Sequence, residues 1–405
     1  MYDAIVVGAR CAGSTTAMLL ARQGHRVLLV DRATFPSDTI STHNILHRGL
    51  VTLHGLGLYE RIAATGCPEL NKRTRDDGDF PLTGYVPKSA EGLPVSMCPR
   101  RTVLDKILVD AAVEAGVELR EGVSVRELRF DGDRVIGVMG TRGRSQEHVE
   151  QARLVIGADG RNSFVASTVR ASKYREVPSI ACWYYTYWPG VQDLGHVSGS
   201  RDRRHLIFLP THGGMTCVLV GWPADEFARV RTNVEAEYRN AVRVVSPAVA
   251  ERLADSAPAE RYYGIADVPN FFRKPYGLGW ALVGDAGHHR DPVGAHGISD
   301  AVRDASILAE EVHAAFAGDK AMEQALSQYE QRRNEAAVPL YEQNCRIAAF
   351  VPPSEDERRI RAALRTASQK DVNAYFGARY GTRPRDTFYN PENLARILRE
   401  AEARA

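Results

Sequence analysis

No stretch of this sequence approaches the twenty or so consecutive apolar residues that a membrane-spanning helix needs. Its first apolar run, from Ala4, has neither a basic lead nor a small-residue cleavage site, so no secretory signal is expected and a cytoplasmic location follows. Cysteine is sparse. Cys11, Cys67, Cys98, Cys182, Cys217 and Cys345 are scattered, with no CxxC pair, which suits a reducing compartment better than a disulfide framework or a zinc site. Net charge is missing too: 52 basic residues face 50 acidic ones, a balance of +2 that gives no reason to bind nucleic acid or an anionic membrane. There is no internal repeat, no low-complexity tract, and no HxxxH or carboxylate set on one helix that would hold a metal.

What remains is an ordinary apolar and charged composition spread over 405 residues, enough for more than one structural unit. The opening "YDAIVV" reads as a short buried strand, "STTAMLLARQG" as a helix ended by Gly24, and "HRVLLVDR" as a second strand. This βαβ opening implies a parallel sheet. A second helix, "TVLDKILVDAAVEAG", closes on Gly116 and is followed by short strands with a turn at Asp131-Gly132. From Ala181 to Trp222 the texture changes to antiparallel strands rich in aromatic and β-branched residues, turning near His212-Gly213-Gly214, with an amphipathic helix expected over roughly 224–245. Nucleotide-type elements return near Ala281, and the chain ends in charged helices broken by Pro352-Pro353.

Three glycine turns carry the functional signal. In "IVVGARCAG", Gly8 and Gly13 flank a strand-to-helix turn whose first helical residues, Cys11 and Ala12, would turn amide N–H groups and partial positive charge toward a pyrophosphate. Arg10 occupies the place of the middle glycine of the dinucleotide fingerprint. It is either a tolerated solvent-facing side chain or a cation paired with phosphate or a nearby acid. Asp31, eighteen residues past Gly13 and next to Arg32, can accept from ribose hydroxyls. The second turn, "VIGADGRNS", places Asp159 and Gly160 after a buried strand. The third, "ALVGDAGHHRDPVGAHGIS", places Gly284 and Asp285 after another, then Pro292, Gly294, Ala295, His296, Gly297 and Ile298 at the entry to a helix.

These motifs, with Arg101 opening "RTVLDKIL", resemble those of the FAD-dependent aromatic hydroxylases of the para-hydroxybenzoate hydroxylase type, the single-component flavoprotein monooxygenases. Within them the chain looks closest to a bacterial branch frequent in specialised metabolism. The resemblance runs from Tyr2 to about Phe316 and is dense only in the flavin-binding parts. It implies an α/β fold: a Rossmann-like FAD-binding domain with an inserted β-sheet substrate domain, plus C-terminal helices. The expected division is 1–75, 99–175 and 269–320 for the FAD domain, 76–98 and 176–268 for the substrate domain, and 321–405 for the helical region. The resemblance also implies that Gly8, Gly13 and Asp31 hold the ADP half of FAD, that Arg101 and Val125 reach the cofactor, that Asp159 serves FAD and NAD(P)H, and that Asp285 bonds the ribityl chain. The family's GxGxxG and GDAAHxxxPxxGxGxN are altered here by Arg10, Gly287, Ala295 and Ser299, with Gly294 one residue early.

The implied reaction is reduction of FAD by NAD(P)H, capture of O2 as a flavin C4a-hydroperoxide, and hydroxylation of an aromatic or polyketide-like small molecule. A helix entering at Gly297 would neutralise negative charge on the reduced ring. In "CWYYTYWPG" alternation puts Trp183, Tyr185 and Tyr187 on one face, which either lines a substrate pocket or forms sheet core. His43 and His288, with Tyr185, are the candidate catalytic groups; a histidine base would enrich a phenol by deprotonating it. "SRDRRH" is expected as a solvated loop, and "SEDERRIRAALR" and "NLARILREAEARA" as surface helices or the partner-facing helices of a homodimer. Alternatives are a reductase of C=C bonds resembling geranylgeranyl reductases, a flavin-dependent halogenase, whose WxWxIP signature is absent, and a flavin-free binding protein.

Overall fold

The computed structural model describes residues 1–77, 80–143 and 146–404. Its first layer is an open sheet in which Trp280–Leu282, Gln146–Gly157, Tyr2–Val7, Val27–Asp31 and Glu118–Glu121 lie side by side and parallel, with Tyr276–Gly277 antiparallel at one edge. Burial on both faces explains why the opening strand is apolar from Ala4 to Val7. Ala4 and Val6 face the helices Cys11–Arg22, Arg101–Glu114 and Gly297–Ala317. Ile5 and Val7 face a three-stranded meander of Val123–Asp131, Arg134–Arg142 and the first half of Gln146–Gly157. A strand covered on both faces has no polar side to show.

The second layer is a seven-stranded sheet in the order Tyr263–Ile265, Ala181–Pro189, Met215–Pro223, Arg204–Pro210, His196–Arg201, Lys72–Asp76, Pro81–Tyr85. Its outer face buries Tyr184, Trp188, Phe208, Val218 and Trp222 against the helices Val234–Val245 and Pro247–Leu253. Its inner face carries Trp183, Tyr185, Tyr187, Ile207, Leu209, Cys217 and Leu219.

Several expectations shift. Lys72–Asp76 pairs with His196–Arg201, so the first passage into this layer falls before Lys72 rather than after residue 75. Lys173–Val177 straddles the boundary expected at 175 and pairs with Asn270–Arg273 and, through it, His288–His289, in a small sheet between the layers. The helix expected over 224–245 breaks at Arg231–Asn233, where Asn233 caps the main segment. "SRDRRH" is a tight hairpin with Asp202 and Arg203 at positive φ, and it buries His205 in the sheet.

The C-terminal helices are less peripheral than their charge suggests. Met322–Ala348 packs on Gly297–Ala317. Glu355–Leu364, Gln369–Tyr380 and Pro391–Glu402 gather Leu364, Phe376 and Ile397 with Leu82 into a satellite core over the edge strand Pro81–Tyr85. Covering an edge in this way removes a site of strand pairing. Among the described residues no helix is long and apolar enough to cross a membrane.

Candidate functional site

The three glycine turns stand at the C-terminal ends of three adjacent parallel strands, the edge at which open α/β sheets take ligands. They touch one another. Gly8 has φ +104°, and a Cβ there would lie 2.5 Å from the carbonyl oxygen of Ala158. A Cβ on Gly13 would overlap the Gly8 carbonyl and lie 3.1 Å from the Ala158 side chain, and one on Gly284 would lie 2.7 Å from that of Ala12. Ala158 belongs to the second turn and Gly284 to the third, so three distant segments form one cradle floored by backbone.

Around this cradle the predicted residues take distinct positions. Asp31 is buried and accepts one amide at each oxygen, Ala9 N–H and Ala33 N–H, both at 2.7 Å. A carboxylate has about four acceptor positions, so two remain for ribose hydroxyls. Arg32 beside it is exposed, and Val125 packs partly buried under the sheet. Arg10 does not reach outward as a tolerated side chain: its Nη1 lies 2.5 Å from Asp105, its Nη2 donates to Ser37 Oγ at 3.0 Å, and it covers the Phe35 ring. Arg101 clasps the same carboxylate through Nε and Nη2, both at 3.0 Å, and Cys11 adds an S–H contact at 3.4 Å. Burial pushes the Cys11 thiol up to about 12, which keeps it a neutral donor. Asp105 went unread in the sequence, although its i,i+4 spacing from Arg101 on a helix was visible.

Asp159 caps the helix Phe164–Thr168 by accepting from Val165 N–H at 3.1 Å, while its Oδ1 is buried without a partner and burial raises its pKa. Gly160 beside it has φ +82°. Asp285 is exposed, and no hydrogen-bond partner for it occurs among the described residues.

The third motif ends in a tight turn, Pro292–Gly294, capped by Asp291 accepting from Val293 N–H at 2.9 Å. Ala295 then takes φ +51°, ψ 38°, the left-handed conformation for which the family glycine is suited. Gly294 has no room for a side chain, because a Cβ would meet Asn344 and the His296 ring. His296 precedes the 21-residue helix Gly297–Ala317, whose first residue is exposed and whose second, Ile298, is buried.

Under that helix start lies a buried charge cluster missed from the sequence. Asp300 is paired with Arg290, with Arg48 at 3.2 Å and with Arg303 at 2.8 Å; Asp304 is paired with Arg303 at 2.6 Å. His288, expected as a substrate base, belongs here instead. Its ring nitrogens lie 3.2 Å from Asp304 and 3.7 Å from Asp300, and its ring stacks on Phe272. Burial works against its charge, but the two carboxylates outweigh it and raise its pKa. His296 accepts from Arg48 at 2.7 Å, and burial with Arg290 and Arg48 nearby holds it neutral. Three guanidinium groups against two carboxylates leave net positive charge at the mouth of the helix. The Asp300, Arg303 and Asp304 spacing in "GISDAVRDAS" was the available signal.

Two aromatic side chains of the inner face of the seven-stranded sheet bond to this domain. Trp183 Nε1–H donates to Asp291 Oδ2 at 3.3 Å, and the Tyr187 hydroxyl lies 2.7 Å from His43 Nε2. The other nitrogen of His43 lies 2.6 Å from the Ser41 carbonyl, which can only accept, so the proton sits on Nδ1 and Tyr187 donates to Nε2. Burial, with Arg101 nearby, pushes His43 down to about 3, so it stays neutral. Tyr185, the tyrosine singled out from the sequence, stacks on Tyr263 and meets His43 only ring edge to ring; the hydrogen bond belongs to Tyr187. Arg100 lies 3.8 Å over the Tyr187 ring and pairs with Glu260.

A glycine-floored cradle at the carboxyl ends of parallel strands, with a helix N-terminus and an acid on the next strand, defines a dinucleotide-binding fold. Comparison with known proteins narrows the class: the chain matches the FAD binding domain family over residues 1–344 and belongs to it, as an FAD-dependent oxidoreductase. It is 28% identical over 358 residues to digeranylgeranylglycerophospholipid reductase 2 of Methanopyrus kandleri, covering 82% of each chain. It is 28% identical over 367 residues to 3-amino-4-hydroxybenzoate 2-monooxygenase of Streptomyces cremeus, covering 85% of this chain and 86% of that one. Its fold matches that of the myxobacterial FAD-dependent chondrochloren halogenase CndH with a TM-score of 0.77 at 20% identity, over 99% of this chain and 96% of the other.

The residues present suit FAD. Three glycine turns pack closely into one backbone-floored cradle, Asp159 Oδ1 is a buried acceptor lacking a partner, and Asp285 is an exposed carboxylate with no hydrogen-bond partner among the described residues.

Proposed function

We propose that this protein is a monooxygenase that uses FAD, NAD(P)H and O2 to hydroxylate a small aromatic or polyketide-like molecule. The observation that carries the reading is the junction of an aromatic sheet face with the flavin-side loop through Trp183–Asp291 and Tyr187–His43. A planar apolar substrate would lie between them, shielded from water, which favours oxygen transfer over release of peroxide. Bound FAD, reduced by NAD(P)H, would supply the activated oxygen. Gly8, Gly13 and Asp31 would hold its ADP portion, with Arg10 and Arg101 adding positive charge beside the pyrophosphate. Asp285 would take the ribityl hydroxyls. The helix Gly297–Ala317 and the Arg48, Arg290 and Arg303 cluster would favour negative charge on the reduced ring.

Tyr187 is the residue we assign to the substrate side. Its hydroxyl oxygen keeps acceptor capacity while its proton is held toward His43 Nε2, so it can take a hydrogen bond from a substrate hydroxyl. His43, held neutral, orients Tyr187 rather than acting as the base itself. The monooxygenase relative, named for a hydroxybenzoate reaction, supports this reading. Reduction of a C=C bond is the second reading, supported by the equal identity to the lipid reductase.

Turnover under 18O2 with NADH or NADPH, chloride and bromide present, against a library of small aromatics tests the proposal. Label in the product supports hydroxylation. A saturated product formed without oxygen supports the reductase, and halide in the product redirects the assignment to halogenation.

A further inference from the structure

The helix Met322–Ala348 ends in a complete Schellman turn: Phe350 N–H donates to the Ile347 carbonyl at 2.9 Å and Val351 N–H to the Arg346 carbonyl at 3.3 Å. Such a turn puts one residue in the left-handed region, and glycine ordinarily fills that place. Here Phe350 fills it, with φ +57°. A bulky aromatic residue adopts that conformation at a cost. Val351, Pro352 and Pro353, which follow, are exposed. The contact that holds this segment against the protein is made by the Phe350 ring.

That ring lies on His205, with centroids 4.2 Å apart and planes within 13°. His205 lies in turn on Trp183, at 5.7 Å and 7°. The sheet prepares this stack. Trp183 and His205 stand on either side of Gly221, each opposite it in register. A Cβ on Gly221 would come within 2.8 Å of the Trp183 ring, so the missing side chain lets the two rings meet face to face. His205 is buried, and burial with Arg75 nearby pushes it down to about 3, which keeps the ring uncharged. Trp183 donates to Asp291, and Val293 of the flavin-side turn packs on the same apolar cluster as Phe350. Phe350 is thus the third parallel ring on a two-ring bed, beside the turn expected to face the cofactor, and it stands on a backbone that glycine would suit better.

We propose that the Trp183–His205 bed binds a planar aromatic ring of the substrate, and that Phe350 is its displaceable occupant in the free protein. The inference rests on the reading of this sheet face as the substrate floor. The exchange is like for like: an incoming ring regains the stacking on His205 that Phe350 loses, and release of Phe350 frees the helix end from the left-handed conformation. An uncharged bed suits a neutral ring. Tyr187 stands four residues from Trp183 on one strand, about 13 Å at about 3.3 Å per residue, so a substrate that meets both spans more than one ring.

The test uses the FAD-loaded full chain and two probes of one skeleton, planar 2-naphthol and puckered decahydro-2-naphthol, with binding read by equilibrium dialysis. Phe350→Gly removes the competing ring and keeps the turn. It should bind 2-naphthol about tenfold more tightly than the wild type does, with decahydro-2-naphthol within about twofold. Adding His205→Leu should abolish the gain. In the wild type, excess 2-naphthol should speed hydrogen exchange at the Phe350 and Val351 amides as the turn is released. A gain shared by both probes, no gain for 2-naphthol, a gain that survives His205→Leu, or unchanged exchange in the wild type would each overturn the proposal. If Phe350→Gly fails to fold, the wild-type exchange decides. Neither readout needs turnover: a naphthol gain beside a negative 18O2 result fails only the monooxygenase reading, and labelled product without the gain fails only the displaced ring.

Discussion

Arg10 and Asp105 lie 2.5 Å apart although the chain separates them by 95 positions. The arginine that interrupts the glycine fingerprint is therefore answered by an acid on the helix Arg101–Glu114, which also binds Arg101. Two cations on one fully buried carboxylate leave a positive charge at the N-terminus of Cys11–Arg22, where backbone amides already favour an anion. Arg101 continues to satisfy Asp105 when Arg10 is removed. Arg10→Gly should thus cost the apoprotein only about 1 kcal/mol while weakening FAD by about tenfold. Asp105→Asn leaves two guanidinium groups without their anion and should cost about 3–5 kcal/mol. Melting curves with and without FAD separate the two effects; an unchanged FAD affinity in Arg10→Gly would confine Arg10 to a structural role.

Asp285 offers the opposite case. It is exposed and has no hydrogen-bond partner among the described residues, so Asp285→Ala should leave the melting temperature of the apoprotein within about a degree of wild type, as surface substitutions do. Its expected role is toward the ribityl hydroxyls, and loss of a charge-assisted bond there should lower FAD affinity by about tenfold or more. Flavin content after gel filtration measures this. Full retention of flavin would move the ribityl contact to another residue.

The parts of this site that could be read from the sequence are those whose chemistry is local. Gly8 and Gly284 announce themselves because positive φ and close backbone approach leave few other residues possible, and Asp31 because a strand end fixes its distance from the turn. Ala295 shows the limit of that logic: it holds the left-handed geometry without being glycine, so a missing glycine did not mean a missing turn. Asp291 was invisible for another reason: it is defined by Trp183, brought from a remote segment that no spacing rule joins to it, just as the visible i,i+4 spacing of Asp105 from Arg101 gave no sign of its remote partner Arg10. Alternation placed Tyr185 and Tyr187 on one face correctly, but choosing between them required the position of His43, a buried residue on a loop with φ +61°. The slot of His288 in its motif says nothing of Asp300 and Asp304, one helix away, which flank its ring.

Asp291 supplies a pH signature. Burial pushes its carboxyl up to about 6, above an unfolded value of about 3.9. The folded state therefore prefers the protonated acid. That contribution is fully present below about pH 4 and is lost as pH rises through about 6, a change of up to roughly 3 kcal/mol. Asp291→Asn removes the titration. It also loses something, since one amide oxygen cannot accept from both Val293 N–H and Trp183 Nε1–H, at a cost of about 1 kcal/mol. The variant should be less stable than wild type at pH 4 and more stable at pH 8. Paired urea titrations across that range check it, and parallel curves would show that Asp291 ionises freely in the folded protein.

Tyr187 and Tyr185 share a sheet face, a buried setting and a ring contact, yet their hydroxyls differ. Tyr187→Phe removes the donor to His43 Nε2 and leaves that nitrogen buried and unpaired, at about 1–3 kcal/mol. The Nδ1 bond to Ser41 survives, so the loop should hold and flavin content should stay normal. Tyr185→Phe removes a hydroxyl that makes no such bond and should cost less than about 0.5 kcal/mol. If Tyr187 receives the substrate hydroxyl, its phenylalanine variant should lower product per NAD(P)H consumed by about tenfold, with the balance appearing as hydrogen peroxide, while the Tyr185 variant stays within about twofold. Measuring peroxide and product side by side makes the comparison. A larger loss of coupling in Tyr185→Phe would return the substrate contact to Tyr185 and leave the Tyr187–His43 bond as a fastening between the two layers.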